Sequence, residues 1–246
     1  MIHFARGGSS VDRWATCPAS IRMSEGIEDT PSKFAEEGTR AHDALEASQK
    51  LGDLQIDLCD DEEMEHAVLM CLDAIEAERA LFATIEHDEP ETFVLPIPAR
   101  EDVGGSADHI IAGTTHDGVR KISVIDFKYG KHYKVKADSS QLAFYALGAA
   151  ALVGGVFQEF TATIVQPRQV IGKDYVRSHT RNHAEMFEFW RWLNAAVKAT
   201  DDPNARPVYS AQGCMWCRAK GVCDAYAARP RKHARTDDQD FADLLS

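Results

Sequence analysis

The sequence predicts an α/β protein with a mixed central β-sheet and helices on both of its faces. Two observations support this prediction. Stretches with the helical spacing of apolar residues alternate along the chain with short β-branched stretches. Their order is helices, a β-meander, a helix, a further strand and a final helix, and this order produces a sheet layered between helices.

The first third of the chain is predicted to be helical. Residues 9–26 indicate a short capped helix with Cys17 near its end, followed by a turn. Longer helices are predicted over residues 32–52 and 61–85. The first of these two helices has a stripe of small and apolar residues, namely Ala41, Leu45 and Ser48.

The rest of the chain alternates between strands and helices. Three strands are predicted over residues 91–98, 103–113 and 121–130. The Asp-Gly pair at 117–118 is typical of a hairpin turn between the last two strands. A helix, a strand and an amphipathic helix are then predicted over residues 139–155, 159–168 and 182–200.

Length and composition predict one domain. A chain of 246 residues that is 44% hydrophobic can bury one substantial core. We expect a single domain over residues 1–230 and a polar, flexible tail over residues 231–246. No apolar run reaches membrane-spanning length and no signal peptide is recognisable, so we expect a cytoplasmic protein without a membrane partner.

The distribution of charge indicates a local site for a polyanion. The net charge of −12 argues against non-specific coating of nucleic acid. Residues 120–136 nevertheless carry six Lys or Arg against the single acid Asp126. We assign phosphate contacts to Lys131, Lys134 and Lys136, with a solvated strand edge as the alternative interpretation.

Asp126 and Lys128 are the first candidate site residues. They lie two positions apart in a β-branched run, so a strand places both on one face, although burying either charge alone is costly. The predicted hairpin brings Asp108 beside Asp126. Two adjacent carboxylates repel unless a cation lies between them, and oxygen ligands of this kind suit Mg²⁺ or Mn²⁺. A lysine there can stabilise charge on a phosphate; a solvated hairpin face is the alternative.

Further candidate residues complete an ordered set. In chain order these residues are His42 in GTRAHDALE, Asp108 in GGSAD, Asp126 and Lys128 in IDFK, and Gln141 and Tyr145 in QLAFY. The set resembles the RecB-like branch of the PD-(D/E)xK nuclease superfamily, which includes CRISPR-associated RecB-like exonucleases and phage-encoded relatives. The resemblance covers roughly residues 9–228 and implies a restriction-endonuclease-like fold. Asp126 stands where some branches have Glu.

The resemblance also implies roles for these residues. His42, Asp108 and Asp126 would bind Mg²⁺ or Mn²⁺. Lys128 would be catalytic together with the two acids. Gln141 and Tyr145 would line a DNA groove. Glu46, one turn after His42, is either a partner of that histidine or a charge on the helix surface.

A cysteine pattern near the C-terminus predicts a metal centre. Cys214, Cys217 and Cys223 have the spacing C-x₂-C-x₅-C, and thiolates at such spacing fill three positions of a tetrahedral site. The resemblance implies Cys17 as the fourth ligand and a [4Fe-4S] cluster that joins the two ends of the domain. Zn²⁺ remains the alternative.

The function expected from these features is that of a metal-dependent DNA exonuclease. The expected setting is phage recombination, repair or end processing in the bacterial cytoplasm. DNA ends are the expected partner, together with a single-strand annealing or other recombination protein. The alternatives are a structure-specific endonuclease and an iron–sulfur or zinc DNA-binding module with a vestigial site. The intact set of candidate residues argues against the vestigial site.

Overall fold

The computed structural model describes residues 4–28, 32–97, 100–131, 133–169 and 174–230, so the tail predicted over 231–246 lies outside the described residues. The strands are β1 Arg6–Gly7, β2 Phe82–Val94, β3 Val103–Thr115, β4 Arg120–Phe127, β5 Glu159–Val165 and β6 Val176–Asn182. The helices are α1 Val11–Thr16, α2 Ala19–Met23, α3 Lys33–Leu51, α4 Glu62–Arg79, α5 Ser140–Val153, α6 His183–Ala199, α7 Ala211–Met215 and α8 Asp224–Ala227.

All six described strands form one mixed sheet, and a mixed sheet is what the sequence predicts, although β1 and β6 are not among its predicted strands. Hydrogen-bonded neighbours follow the order β1-β3-β4-β5-β6. The strand β2 lies off this path and pairs with β3. β3 and β4 are antiparallel and are joined at Asp117 and Gly118, where Gly118 has φ 85°. β4 and β5 are parallel, and α5 provides the crossover that a parallel pair needs. β6 then returns antiparallel to β5.

Helices cover both faces of the sheet, which confirms the predicted layers. Successive side chains of β3 point to opposite faces of the sheet. Ile110 packs in the cluster with α5 and α6, whereas Ile111 packs in the cluster with α3 and α4. Val124 and Ile125 of β4 divide in the same way. Among the described residues no helix is both long enough and apolar enough to span a membrane.

The boundary between α4 and β2 differs from the prediction. The helix predicted to reach residue 85 ends at Arg79, and the strand predicted to begin at residue 91 begins at Phe82. Residues 86–91 are acidic and include Pro90, a composition that is rare in strands. β2 tolerates them because it is an edge strand with three register shifts against β3.

Two smaller features also depart from the sequence analysis. The short helix predicted near Cys17 ends at Thr16, as expected, but the turn predicted after it is a second short helix, α2. Cys17 has φ −126° and ψ 84°, because a residue that precedes proline avoids the helical conformation. β6 was not predicted, since its sequence of alternating polar residues carries no apolar face.

Candidate active site

Six side chains predicted from the sequence line one cleft of about 270 Å³. Four elements contribute them: α3, β3, the end of β4 with the residues that follow it, and α5. The residues are His42, Asp108, Asp126, Lys128, Gln141 and Tyr145. Residues 7–9, which precede α1, form another wall of the cleft.

His42 is positioned by the buried stripe of α3. Ala41 and Leu45 are buried against the sheet, so His42 lies at the border between the packed face of the helix and the cleft. Its ring packs edge-on against Phe127, with 5.6 Å between the ring centroids. The imidazole is therefore held between the helix and the end of β4.

Asp108 connects α3 to β4. Its Oδ1 lies 2.8 Å from His42 Nδ1, and its Oδ2 accepts a 2.8 Å hydrogen bond from the backbone N–H of Phe127. Burial tends to raise the pKa of Asp108, but the charge and hydrogen bond of His42 outweigh it and the pKa is lowered. Burial likewise tends to lower the pKa of His42, and Asp108 outweighs it, so this pKa is raised.

Asp126 and Lys128 form an ion pair at the end of β4. Lys128 Nζ lies 2.8 Å from Oδ2 and 3.0 Å from Oδ1 of Asp126. The two side chains share a face because Lys128 N donates to Val165 O, which continues the extended pairing beyond Phe127. Burial raises the pKa of Asp126, and Asp108 adds to the shift. Burial tends to lower the pKa of Lys128, but Asp126 raises it.

Gln141 contacts Asp126 directly, and Tyr145 contacts Gln141. They lie one turn apart on α5, where Gln141 Nε2 donates to the Tyr145 hydroxyl at 3.2 Å and reaches Asp126 Oδ1 at 3.5 Å. Burial raises the pKa of Tyr145, so this phenol stays protonated at neutral pH. A Cβ at Gly8 would overlap the Tyr145 ring, so the cleft wall requires glycine there.

Other residues singled out in the sequence lie outside this cleft. Glu46 pairs with Lys50 on the surface of α3 and not with His42. Lys131 pairs with Glu63, and Lys134 pairs with Asp174. Lys136 is exposed. Phosphate contacts by Lys131, Lys134 and Lys136 remain predictions.

The chemistry of the cleft fits a hard divalent cation. The buried carboxylate of Asp126, the half-buried carboxylate of Asp108 and an imidazole are suitable ligands for Mg²⁺ or Mn²⁺. Asp126 Oδ2 is buried and accepts no hydrogen bond from the described residues, although Lys128 lies beside it. The ligand atoms of His42, Asp108 and Asp126 do not all lie within 4.8 Å of one another. One carboxylate turns toward His42 and the other toward Lys128.

A hydrogen-bonded network behind Asp108 was missed by the sequence analysis. Gln49 Nε2 donates to the backbone carbonyl of Asp108 at 3.2 Å, and Gln49 Oε1 lies 2.6 Å from His109 Nδ1. His109 Nε2 lies 2.8 Å from Asp88, which pairs with Arg79. Gln49 follows His42 by two helical turns, and this spacing was the available signal.

The four cysteines predicted to form a centre line a small cavity of about 20 Å³. Cys17 Sγ accepts a hydrogen bond from Val208 N at 3.3 Å, and burial raises the pKa of its thiol. The other three are Cys214, Cys217 and Cys223. Cys59 is half-buried in a loop, and Cys71 is buried in α4. The structure therefore brings the two ends of the described chain together at this cavity.

The spacing of the four sulfur atoms bears on the kind of centre. Four thiolates around one zinc ion lie about 3.8 Å apart, since each Zn–S bond is about 2.3 Å. Among the described residues, one group of three His, Cys, Asp or Glu side chains has its ligand atoms within 4.8 Å of one another, and it consists of His87, Glu89 and Glu91 on β2. The four cysteines form no such group. The cysteine sulfurs are therefore spread more widely than a single zinc ion requires.

Comparison with known families and structures adds the following. The profile of a family described as "Protein of unknown function (DUF2800)" matches residues 3–245. A crystal structure of SSO0001 is similar with a TM-score of 0.35 and 13% identity, over 85% of this chain and 95% of that chain. The crystal structure of an alkaline exonuclease from Laribacter hongkongensis is similar with a TM-score of 0.31 and 14% identity, over 78% of this chain and 91% of that chain. The structure of that exonuclease in complex with dAMP has a TM-score of 0.32 and 13% identity, over the same fractions of the two chains. Similarity at this level does not establish a common activity.

Proposed function

We propose that this chain, which belongs to the DUF2800 family, is a metal-dependent DNA nuclease that acts as an exonuclease. The observation that carries the proposal is the convergence of His42, Asp108, Asp126 and Lys128 on one cleft. These residues come from α3 and from the β3–β4 hairpin, and His42 lies 66 residues before Asp108. A vestigial site would have no reason to hold two carboxylates side by side, because their mutual repulsion costs stability.

In this proposal His42, Asp108 and Asp126 hold Mg²⁺ or Mn²⁺. The bound cation would supply an activated water for attack on the phosphodiester and would neutralise charge on the leaving oxygen. Neighbouring groups orient the two carboxylates. The backbone N–H of Phe127 orients Asp108, and Gln141 reaches Asp126 from α5.

Lys128 acts as a fixed positive charge. Its pKa is raised by Asp126, so the ammonium group stays protonated at neutral pH and cannot serve as a general base. It lies beside the acid that would hold the cation, where a phosphate oxygen would develop negative charge. Preorganised charge of this kind stabilises the transition state without reorganisation.

The cysteine cavity is proposed to hold a [4Fe-4S] cluster through Cys17, Cys214, Cys217 and Cys223. The four cysteines line one cavity, and the choice of a cluster over a single Zn²⁺ ion rests on the sequence resemblance. The centre lies beside α1 and α7 and not in the cleft, so its role would be to hold the chain ends together. A role in phage recombination, repair or end processing, with a recombination protein as partner, rests on the sequence resemblance.

The proposal is tested by digestion of linear double- and single-stranded DNA with labelled ends. Purified protein should release mononucleotides or short products with Mg²⁺ or Mn²⁺ and none with a chelator. Asp108→Asn should abolish the release, because it replaces a charged ligand of the cation. Glu46→Gln is the matched control, since Glu46 lies one turn from His42 but pairs with Lys50. No digestion by the wild-type protein with either cation would overturn the proposal.

A further inference from the structure

The surface above the cysteine cavity exposes a tryptophan. Trp216 lies between Cys214 and Cys217 and is 79% exposed, the largest exposure among the large hydrophobic residues that the structure describes. Residues 211–227 form the cysteine lobe, in which Val222 is 70% exposed and Met215 is 40% exposed. An indole at this exposure contributes little to the core, and together with Val222 and Met215 it offers an apolar contact surface to a partner.

The same surface carries positive charge on an acidic protein. Residues 205–230 contain four Lys or Arg against Asp224, whereas the whole chain has a net charge of −12. Arg218 donates to the carbonyl of Ile27, and Lys220 donates to the carbonyl of Met215. No carboxylate of the described residues forms an ion pair with either side chain, so their charge is not neutralised.

The two side chains differ in this respect from the basic residues that are held in ion pairs, such as Arg40 with Asp60 and Arg120 with Glu86. An uncompensated basic surface next to an exposed aromatic ring is complementary to single-stranded nucleic acid. The phosphates pair with the cations and an unpaired base stacks on the ring.

Two short helices, α1 and α7, connect this surface to the cleft. Ser9 lines the cleft, and three residues later Asp12 accepts a 2.6 Å hydrogen bond from Gln212 Nε2. Gln212 belongs to α7, which leads directly to Trp216. One strand of nucleic acid could therefore contact both the lobe and the cleft.

We propose that Trp216, Arg218 and Lys220 form a single-stranded DNA contact that leads the substrate to the cleft. Trp216 stacks on a base, and the two cations contact phosphates. The inference rests on the proposed nuclease function and extends it, because it places the incoming strand on the cysteine lobe.

Binding of a fluorescein-labelled oligothymidylate, measured by anisotropy in chelator, tests the contact without hydrolysis. Loss of one stacked base weakens binding by about 5- to 150-fold, so Trp216→Ala should raise Kd within that range and Trp216→Phe should raise it less. Trp192→Ala is the matched control, because Trp192 is 43% exposed on α6 and should leave Kd unchanged. An unchanged Kd for Trp216→Ala would overturn the inference.

A charge-reversed variant keeps the test valid if Trp216→Ala does not fold. Arg218→Glu should weaken binding and lower the slope of log Kd against log salt concentration by about 0.7, as expected for one lost phosphate contact on a single strand. An unchanged slope contradicts the contact.

Cleavage kinetics separate the inference from the proposed function. With Mg²⁺, Trp216→Ala should raise KM and leave kcat unchanged, because the side chain lies outside the cleft. An active wild type and an identical KM for Trp216→Ala would refute the DNA contact alone. An inactive wild type would refute the nuclease itself.

Discussion

Replacing Lys128 by methionine removes the partner of a buried acid. The Asp126 side chain is 4% exposed and its carboxylate lies 2.8 Å from Lys128 Nζ, so the change leaves an unpaired charge in the interior. Breaking a buried pair in this way costs about 3–5 kcal/mol. Protonation limits the cost. One pKa unit is worth about 1.4 kcal/mol, and the ordinary pKa of an aspartate lies about three units below pH 7. Protonating Asp126 at pH 7 therefore costs about 4 kcal/mol at most, because burial raises its pKa.

The converse change should cost less. Lys128 is 25% exposed, so in Asp126→Asn its ammonium group can still reach water, and we expect a loss below about 2 kcal/mol. The double variant should lose less than the sum of the two single variants, because it leaves neither charge unpaired. Urea unfolding followed by circular dichroism measures all three free energies of unfolding.

The dependence on pH has a definite sign. The folded-state pKa of Asp126 is raised above its unfolded value, and removal of Lys128 raises it further. The folded protein therefore binds more protons than the unfolded chain, and its stability increases as pH falls toward the unfolded pKa. The deficit of Lys128→Met should shrink between pH 7 and pH 5.

Lys134→Met provides the control for this experiment. Lys134 pairs with Asp174, and both side chains are 56% exposed, so the change should stay within about 0.5 kcal/mol of wild type. A loss for Lys128→Met no larger than that of Lys134→Met, with no dependence on pH, would refute the buried pair.

Three further predictions concern packing, the cysteines and the form of the substrate. Gly148→Ala should destabilise the protein by about 1–3 kcal/mol, because its Cβ would overlap the Phe93 ring. Gly38→Ala should stabilise it by about 0.5–1 kcal/mol, because a Cβ on this part of α3 meets open space. Equal effects of the two variants in thermal unfolding would contradict the packing. Cys17→Ala should lower metal content and Tm about as much as Cys217→Ala, and protein purified without air should be brown; full metal in Cys17→Ala would exclude Cys17 as a ligand. Linear DNA should be degraded while closed circles survive, and comparable cutting of circular single strands would show an endonuclease.

The site was predictable from local patterns that the fold left intact. Alternation along a strand placed Asp126 and Lys128 on one face, and the Asp117–Gly118 turn brought Asp108 beside them. The apolar stripe of α3 fixed the side from which His42 approaches. Each of these inferences needs only the period of one element or one turn type.

Other features depend on contacts that local patterns do not contain. β2 is a long strand only because β3 provides a partner, since its own acids and Pro90 disfavour a strand. The link from Gln49 through His109 to Asp88 joins three elements by polar groups and has no periodicity. The exposure of Trp216 is also a tertiary property, because an isolated tryptophan in a sequence is more often expected in a core.

The most direct test of the central claim compares cleavage by wild-type protein with cleavage by Asp126→Ala and Lys128→Ala. Each variant is first shown by circular dichroism to be folded. Single-turnover digestion of end-labelled DNA is then measured with Mg²⁺ and with Mn²⁺. The account predicts that the wild type cleaves only with a cation and that both variants lose cleavage, because one lacks a metal ligand and the other lacks the fixed charge. Wild-type rates in either folded variant would contradict it.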